Sequence, residues 1–210
     1  MRVQLLAHVP FAEHLITTAG KLTRGRHSNA FYYDKDAFIK KIIHLGHESL
    51  LEFGYAAFLV EGASRVLLSQ LSRHRLISLA VVSQRHVKAP KEFVVPETVE
   101  GELRERWLRL LDECYALYEE AREKGVPLED ARYILPQSVT TSFVVGANFR
   151  EWRHILKLRS HRSAQWEFRE LCRKIGEILF DLAPSVFAGV VRGGRDEEVG
   201  SVSVGVGDDD

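Results

Sequence analysis

Residues 73–86 read RHRLISLAVVSQRH, which places three arginines, two histidines and two serines in fourteen positions. Arg73, His74 and Arg75 are consecutive, and Ser78, Ser83 and Arg85 surround an apolar stretch from Leu79 to Val82. Guanidinium groups at the rim of a buried apolar segment need an anion, because an unpaired buried charge is expensive. The planar arginine fork matches phosphate oxygens bidentately, and serine hydroxyls add neutral donors. The chemistry on offer is capture of a phosphorylated ligand. A solvated loop whose arginines pair with local acids fits the composition equally well at this point.

A further arginine is singled out by helical spacing. On a helix starting at Phe149, the side chains of Trp152, Ile155, Leu156 and Arg159 share one face, with Arg150, His154 and His161 opposite. An arginine in an apolar stripe needs a partner, either a ligand carrying negative charge or a glutamate in a core salt bridge. Nucleophiles are scarce. Cys114 and Cys172 fall inside long amphipathic helices, and Cys114 lies on the apolar stripe, where packing is its expected role. No Ser-His-Asp arrangement is suggested. The nine histidines show no HExxH or HxH spacing and the cysteines no CxxC, so no metal site is expected. His8, His14, His27 and His44 read as structural or surface residues. Chemistry that needs no protein nucleophile fits this inventory.

These residues must be held by a mixed scaffold. Arg2 to Val9 reads as a strand ended by Pro10, and Phe11 to Leu22 as a helix. Thr23 to Tyr33 is a polar loop. Asp34 to Leu45 reads as a helix stopped by Gly46. Tyr55 to Val60 is a buried strand bracketed by Gly54 and Gly62. Ser64 can cap a short helix to about Ser72. Phe93 to Pro96 is extended. Glu102 to Lys124 is a long amphipathic helix, with Leu103, Trp107, Leu110, Leu111, Cys114, Leu117 and Tyr118 at steps of three and four. Leu128 to Leu135 is a short helix stopped by Pro136, and Val139 to Val145 is β-prone. Asn148 to Glu151 is a capping box that opens a helix to about His161. A last helix runs from about Ser163 to Leu182. Strands without regular βαβ alternation imply an α+β fold, a central sheet flanked by long helices. Neither GxGxxG nor GxxxxGK[ST] occurs, so any dinucleotide is held without those loops.

The bulk numbers set limits. The 210 residues, 45% hydrophobic, suit a single domain over residues 1–192 followed by a flexible acidic tail over 193–210. Lys+Arg and Asp+Glu both total 29, so the formal charge is zero, and binding to nucleic acid or to an anionic membrane is not expected. The N-terminal apolar run is too short for a signal peptide, and no stretch reaches membrane-span length. A cytoplasmic protein is the expectation.

The string from Arg73 to Arg85 matches RHRxxSxxxxSxR at six positions, Arg73, His74, Arg75, Ser78, Ser83 and Arg85. In this it resembles the flavin-dependent thymidylate synthase family. GHESLLEF (46–53), ARYILP (131–136), NFREWRHILKLR (148–159) and AQWEFRE (164–170) are similar to that family's other blocks, in order and spacing. The resemblance covers roughly residues 1–190. It implies reductive methylation of dUMP to dTMP, with FAD as cofactor and NADPH and 5,10-methylenetetrahydrofolate as co-substrates. It implies a homotetramer with sites between subunits. By position it assigns Gln70, Arg73, Ser83, Gln84, Arg85 and Arg132 to dUMP. It assigns His47, Ser49, Arg73, His74, Arg75, Asn148, Arg150 and His154 to FAD. Arg159 becomes both a dUMP ligand and the catalytic activator of the uracil ring. Glu52 matches a further position.

Departures from the pattern leave alternatives open. Val81 stands where members usually carry Glu or Gln, and Ala80 and His86 also differ. Phe53 replaces a histidine, and Ser163 replaces the histidine of HAQWE, with His161 two residues away. A related flavin methylase acting on another uridine nucleotide such as UMP remains compatible. So does a non-catalytic descendant that binds flavin or nucleotide.

Overall fold

A computed structural model describes residues 1–23, 25 and 34–190. Most of the polar Thr23–Tyr33 loop, His27 included, and the whole Gly193–Asp210 tail lie outside the described residues. Four strands form one antiparallel sheet: β1 (Arg2–His8), β2 (Tyr55–Ser64), β3 (Ser78–Val81) and β4 (Thr140–Asn148), in the spatial order β1-β2-β4-β3. No parallel pair occurs among them, as the missing βαβ alternation implies.

The helices are α1 (Ala12–Leu22), α2 (Lys35–His44), α3 (Arg65–Leu71), α4 (Gly101–Glu123), α5 (Leu128–Ala131), α6 (Phe149–Arg159), α7 (Trp166–Leu182) and α8 (Pro184–Phe187). Two 3₁₀ turns, Glu48–Phe53 and Arg132–Ile134, complete the set. The main core forms where alternate residues of β2 (Ala56, Phe58, Val60) and β4 (Phe143, Val145, Ala147) meet helices α6 and α7. Trp152 of α6 donates its indole N–H to the Ala56 carbonyl (3.0 Å) and sets its ring edge-on to Phe58. Phe168, Leu171, Ile175 and Leu179 of α7 close the layer. A smaller cluster of Ala89, Tyr115, Tyr118, Ala131 and Val139 lies under α4.

Several boundaries differ from the sequence expectation, each for a physical reason. Gly62 does not end β2. It adopts φ +72°, which only glycine takes easily, and the pairing with β4 shifts between Val60 and Ala63. This bulge lets the strand run on to Ser64. The helix expected over 128–135 is split into α5 and a 3₁₀ turn. The last long helix begins at Trp166, where the Gln165 side chain accepts from Phe168 N. Glu151 does not complete the capping box by reaching back to Asn148. It faces His74 instead, while Asn148 Oδ1 takes the Glu151 N–H at 2.8 Å. On α4, Leu111 and Tyr118 are buried, but Leu103, Leu110 and Leu117 are at least half exposed. Periodicity detected those side chains without showing what covers them.

Candidate functional site

Helix α3 organises the site. Ser64 caps it by accepting from Leu67 N at 3.0 Å, and the buried Glu167 of α7 in turn accepts from both the backbone N and the hydroxyl of Ser64. Hydrogen bonds to a carboxylate are the strong kind, so α7 fixes the start of α3. Arg65 is the first residue of the helix, and His74 follows three residues after its last. At 1.5 Å per residue the seven residues of α3 span about 10 Å, with Arg65 at one end and His74 beyond the other. The predicted site residues fall into two groups, one near each end.

Near Arg65, an open pocket of about 300 Å³ is lined by Arg65, Gln84, Arg132, Tyr133, Gln137 and neighbouring residues. Gln84 is buried, and its side-chain nitrogen has no hydrogen-bond partner; neither does Nη1 of Arg65. Burial, and then the nearby Arg132 charge, push the Arg65 guanidinium below its ordinary pKa. An anion between the two guanidiniums would offset both effects. Among the described residues Arg132 spends only its Nε–H, on the Glu129 carbonyl at 3.1 Å. Arg85 bonds the Glu129 carboxylate at 2.9 Å. Both partners are about half exposed, so this is a surface pair worth little, and for Arg85 the local-acid reading holds in the free chain.

At the other end, the turn after α3 carries His74 into the core, where it is 7% exposed. Arg159, at the end of α6, donates from Nε to His74 Nε2 at 3.2 Å and lies over the Phe168 ring, 5.0 Å from its centroid. Among the described residues the partner of Arg159 is therefore an imidazole and an aromatic face, not a glutamate. Trp152, Ile155 and Leu156 are buried as expected, while Arg159 is half-buried at the rim of their stripe. His74 Nδ1 faces Glu151 Oε1 at 3.6 Å, and the His154 ring sits edge-on to His74. Burial, then the charges of Arg159 and His154, lower the His74 pKa to about 4. Burial raises that of Glu151.

Most of the other predicted residues belong to elements around this second group, whereas Ser83 adjoins Gln84 of the first. Arg150 bonds Glu52 at 2.7 Å, which ties α6 to the 3₁₀ turn 48–53. His47, which precedes that turn, and Ser49 within it are exposed, and His47 makes no side-chain cap bond. Arg73 and Arg75 are exposed and Gln70 is half-buried. Ser83 Oγ accepts from Arg85 N at 3.3 Å within the turn that follows β3. The chain thus joins Gln84 with Arg132, and His74 with His154 and Arg159. It does not gather all the predicted residues into one cavity. Val81 packs against the core from β3, and Ser163 Oγ is 2.8 Å from His161 Nδ1.

Four residues escaped the sequence reading. Arg65 had one signal: a cation at the first position of a helix opposes the macrodipole and needs a reason to be there. Glu151 was read only as a cap. Glu167 meets Ser64 across 103 positions, which no local pattern reports. Arg153 is 3% exposed, bonded to the Val186 carbonyl and 3.9 Å from Glu48. It extends the apolar face of α6 beyond the stripe counted from Trp152. Cys172 is buried and its thiol is pushed up to about 12 by burial, so it holds no thiolate to attack with. Among the described residues no His, Cys, Asp and Glu cluster suits a metal ion, and no helix is long and apolar enough to cross a membrane.

The profile of the family described as thymidylate synthase complementing protein matches residues 4–185. The chain belongs to this family. Within the thymidylate synthase complementing family, a flavin-dependent thymidylate synthase of Thermococcus onnurineus is 45% identical over 153 residues, covering 69% of this chain and 62% of that protein. The match therefore spans less than two thirds of that relative's length. Enzymes of the same description from Pyrococcus horikoshii (39% identical, 84% and 78% covered) and Geobacter sulfurreducens (34%, 89% and 85%) align over more of both chains. A solved UMP/dUMP methylase from Streptomyces cacaoi, bound with 5-Br dUMP, superposes with a TM-score of 0.79 over 89% of this chain and 92% of that one. At 21% identity this likeness establishes a shared fold.

Proposed function

We propose that this chain is a flavin-dependent thymidylate synthase that converts dUMP to dTMP. It acts as one catalytic domain over residues 1–192, in the cytoplasm, within a homotetramer whose sites lie between subunits. The carrying observation is the pocket near the start of α3, where two guanidiniums and the unpartnered Gln84 amide converge. Its size and donor set suit the phosphate end of a nucleotide. Arg65, Gln84 and Arg132 hold that phosphate. Ser83 supplies a hydroxyl, and Arg85 exchanges its exposed Glu129 for the ligand. Gln70 and Arg73 contact the rest of the nucleotide.

The donors around the other end of α3 fit FAD. His47, Ser49, Arg73, Arg75, Arg150 and His154 are polar or cationic and all exposed, which suits an anionic pyrophosphate. Asn148 commits its side-chain oxygen to α6 and keeps its amide N–H groups. His74 offers a ring that is neutral at physiological pH. FAD when bound supplies the redox chemistry, with NADPH as reductant and 5,10-methylenetetrahydrofolate as the one-carbon donor. The protein contributes position and charge. Arg159 stabilises negative charge that develops on the N3/O2 side of the uracil ring. Preorganised charge stabilisation of this kind is commonly the largest catalytic contribution.

A second reading, UMP in place of dUMP, is favoured by one observation. Val81 packs inward where family members usually place Glu or Gln, so a polar contact is missing at that position. Two measurements on the purified protein separate the readings. The absorbance spectrum, with and without dUMP, reports flavin and its perturbation. Tritium release from 5-tritiated dUMP and UMP reports the substrate. Flavin-dependent release from dUMP is expected. Faster release from UMP favours the second reading. A protein that stays colourless with added FAD is a non-catalytic descendant.

A further inference from the structure

We infer that Glu151 is a positioning residue for Arg159 and acts through the His74 ring. It fixes the imidazole tautomer whose Nε2 lone pair receives the Arg159 Nε–H, leaving the terminal guanidinium nitrogens for the substrate.

Arg159 can only donate, and it does so to His74 Nε2 at 3.2 Å. That nitrogen must therefore be the unprotonated one, and the single ring proton of a neutral imidazole sits on Nδ1. Nδ1 faces Glu151 Oε1 at 3.6 Å, with both side chains almost fully buried. At that separation the coupling is electrostatic rather than a hydrogen bond. A carboxyl oxygen placed there still favours the tautomer whose N–H points at it. The opposite tautomer would set Nε2–H against the Arg159 N–H. Edge contacts from His154 and Phe168 hold the ring plane.

The surroundings keep the ring neutral, as this role demands. The ionisable groups facing it are Glu151, His154 and Arg159, and burial with the two positive neighbours lowers its pKa to about 4. Glu151 sits at the third position of α6, where a capping-box glutamate would turn back to the helix start. Its turn towards His74 is a choice that capping does not explain. Nε donation to His74 is the one hydrogen bond Arg159 makes within the described chain.

The inference rests on the reading of Arg159 as the uracil partner, so the test separates the two. Tritium release from 5-tritiated dUMP is measured for the FAD-loaded wild type, Glu151→Gln, Glu151→Leu, Arg159→Lys and the Leu/Lys double variant. Glu151→Met replaces Glu151→Leu if the latter folds poorly. Glu151→Gln keeps an acceptor and should stay near wild type. Glu151→Leu should lower kcat about tenfold with little change in KM. In the Arg159→Lys background the same change should have no further effect, because its target is gone. Equal losses in both backgrounds would overturn the inference. Wild-type inactivity on dUMP would sink the functional reading alone, and the positioning claim then stands on a second readout. In ¹⁵N-histidine spectra of the FAD-free protein, the signal absent from His74→Gln should report the Nδ1–H tautomer in the wild type and a tautomer mixture in Glu151→Leu. An unchanged tautomer in that variant overturns the claim whatever the activity.

Discussion

Arg159 draws its orientation from two unlike neighbours, the His74 Nε2 lone pair and the Phe168 ring face. Lysine keeps the charge but loses the planar fork and its Nε–H. Arg159→Lys should therefore lower kcat on the order of 10²-fold while FAD stays bound, read by turnover against flavin absorbance. Arg65 makes a different prediction because it is half-buried beside a like charge, with a buried, unpartnered Nη1. Arg65→Met should weaken dUMP binding roughly 10- to 100-fold, the worth of one charged hydrogen bond. It should also raise the melting temperature of the ligand-free protein, since an uncompensated charge leaves the interior. Calorimetry and thermal melts check the two halves. His74 sets an acid limit. Its folded pKa of about 4 lies below the ordinary histidine value, so the unfolded chain binds the proton more readily. Stability from this residue is complete above the ordinary value and is lost as pH falls towards 4, at about 1.4 kcal/mol per pH unit at most. Glu151, with its pKa raised by burial, slopes the opposite way. The informative quantity is thus the difference in melting temperature between wild type and His74→Gln over pH 4 to 7, which should narrow as pH falls.

At the scale of elements, the strand–helix junctions carry the site. The Gly62 bulge delivers Ser64 to cap α3, and Asn148 ends β4 and caps α6 within one residue. Gly54 stands where the chain enters β2, and a Cβ there would lie 2.2 Å from the Phe149 ring, the first residue of α6. Gly54→Ala should therefore destabilise by about 1–3 kcal/mol, measured by denaturant unfolding, and loosen the pairing of Arg150 with Glu52. Much of this level was legible in sequence. The caps at Ser64 and Asn148, the helical face of Trp152, Ile155 and Leu156, and the α+β class all follow from local patterns. The rest depends on distant partners. Glu167 reaches Ser64, and Glu151 reaches His74, only once α6 and α7 have packed on the sheet. Gly62 was legible as a break but not as a bulge, because one glycine serves either when the partner strand is unknown.

At the scale of the whole molecule, the phosphate-type pocket and the His74–Arg159 group lie near opposite ends of α3; the pocket is open, while His74 is buried behind the half-buried Arg159. In the proposed homotetramer, neighbouring subunits would supply further walls to both. Apolar surface is available: Leu103, Leu110 and Leu117 of α4 are at least half exposed, and Trp107 is 38% exposed. Trp107→Glu should lower the assembly from four times the 23.9 kDa chain mass to smaller species, seen by sedimentation. The central claim, however, concerns chemistry. In the proposed function the chain methylates uracil without attack by a protein thiol: Cys114 is half-buried on α4, and the buried Cys172 has its thiol pushed up to about 12. The most direct measurement is tritium release from 5-tritiated dUMP by a Cys114→Ala/Cys172→Ala double variant, supplied with FAD, NADPH and methylenetetrahydrofolate. Release within a few-fold of wild type, and none without FAD, is the predicted result. Loss of release in a folded, flavin-loaded double variant would contradict it.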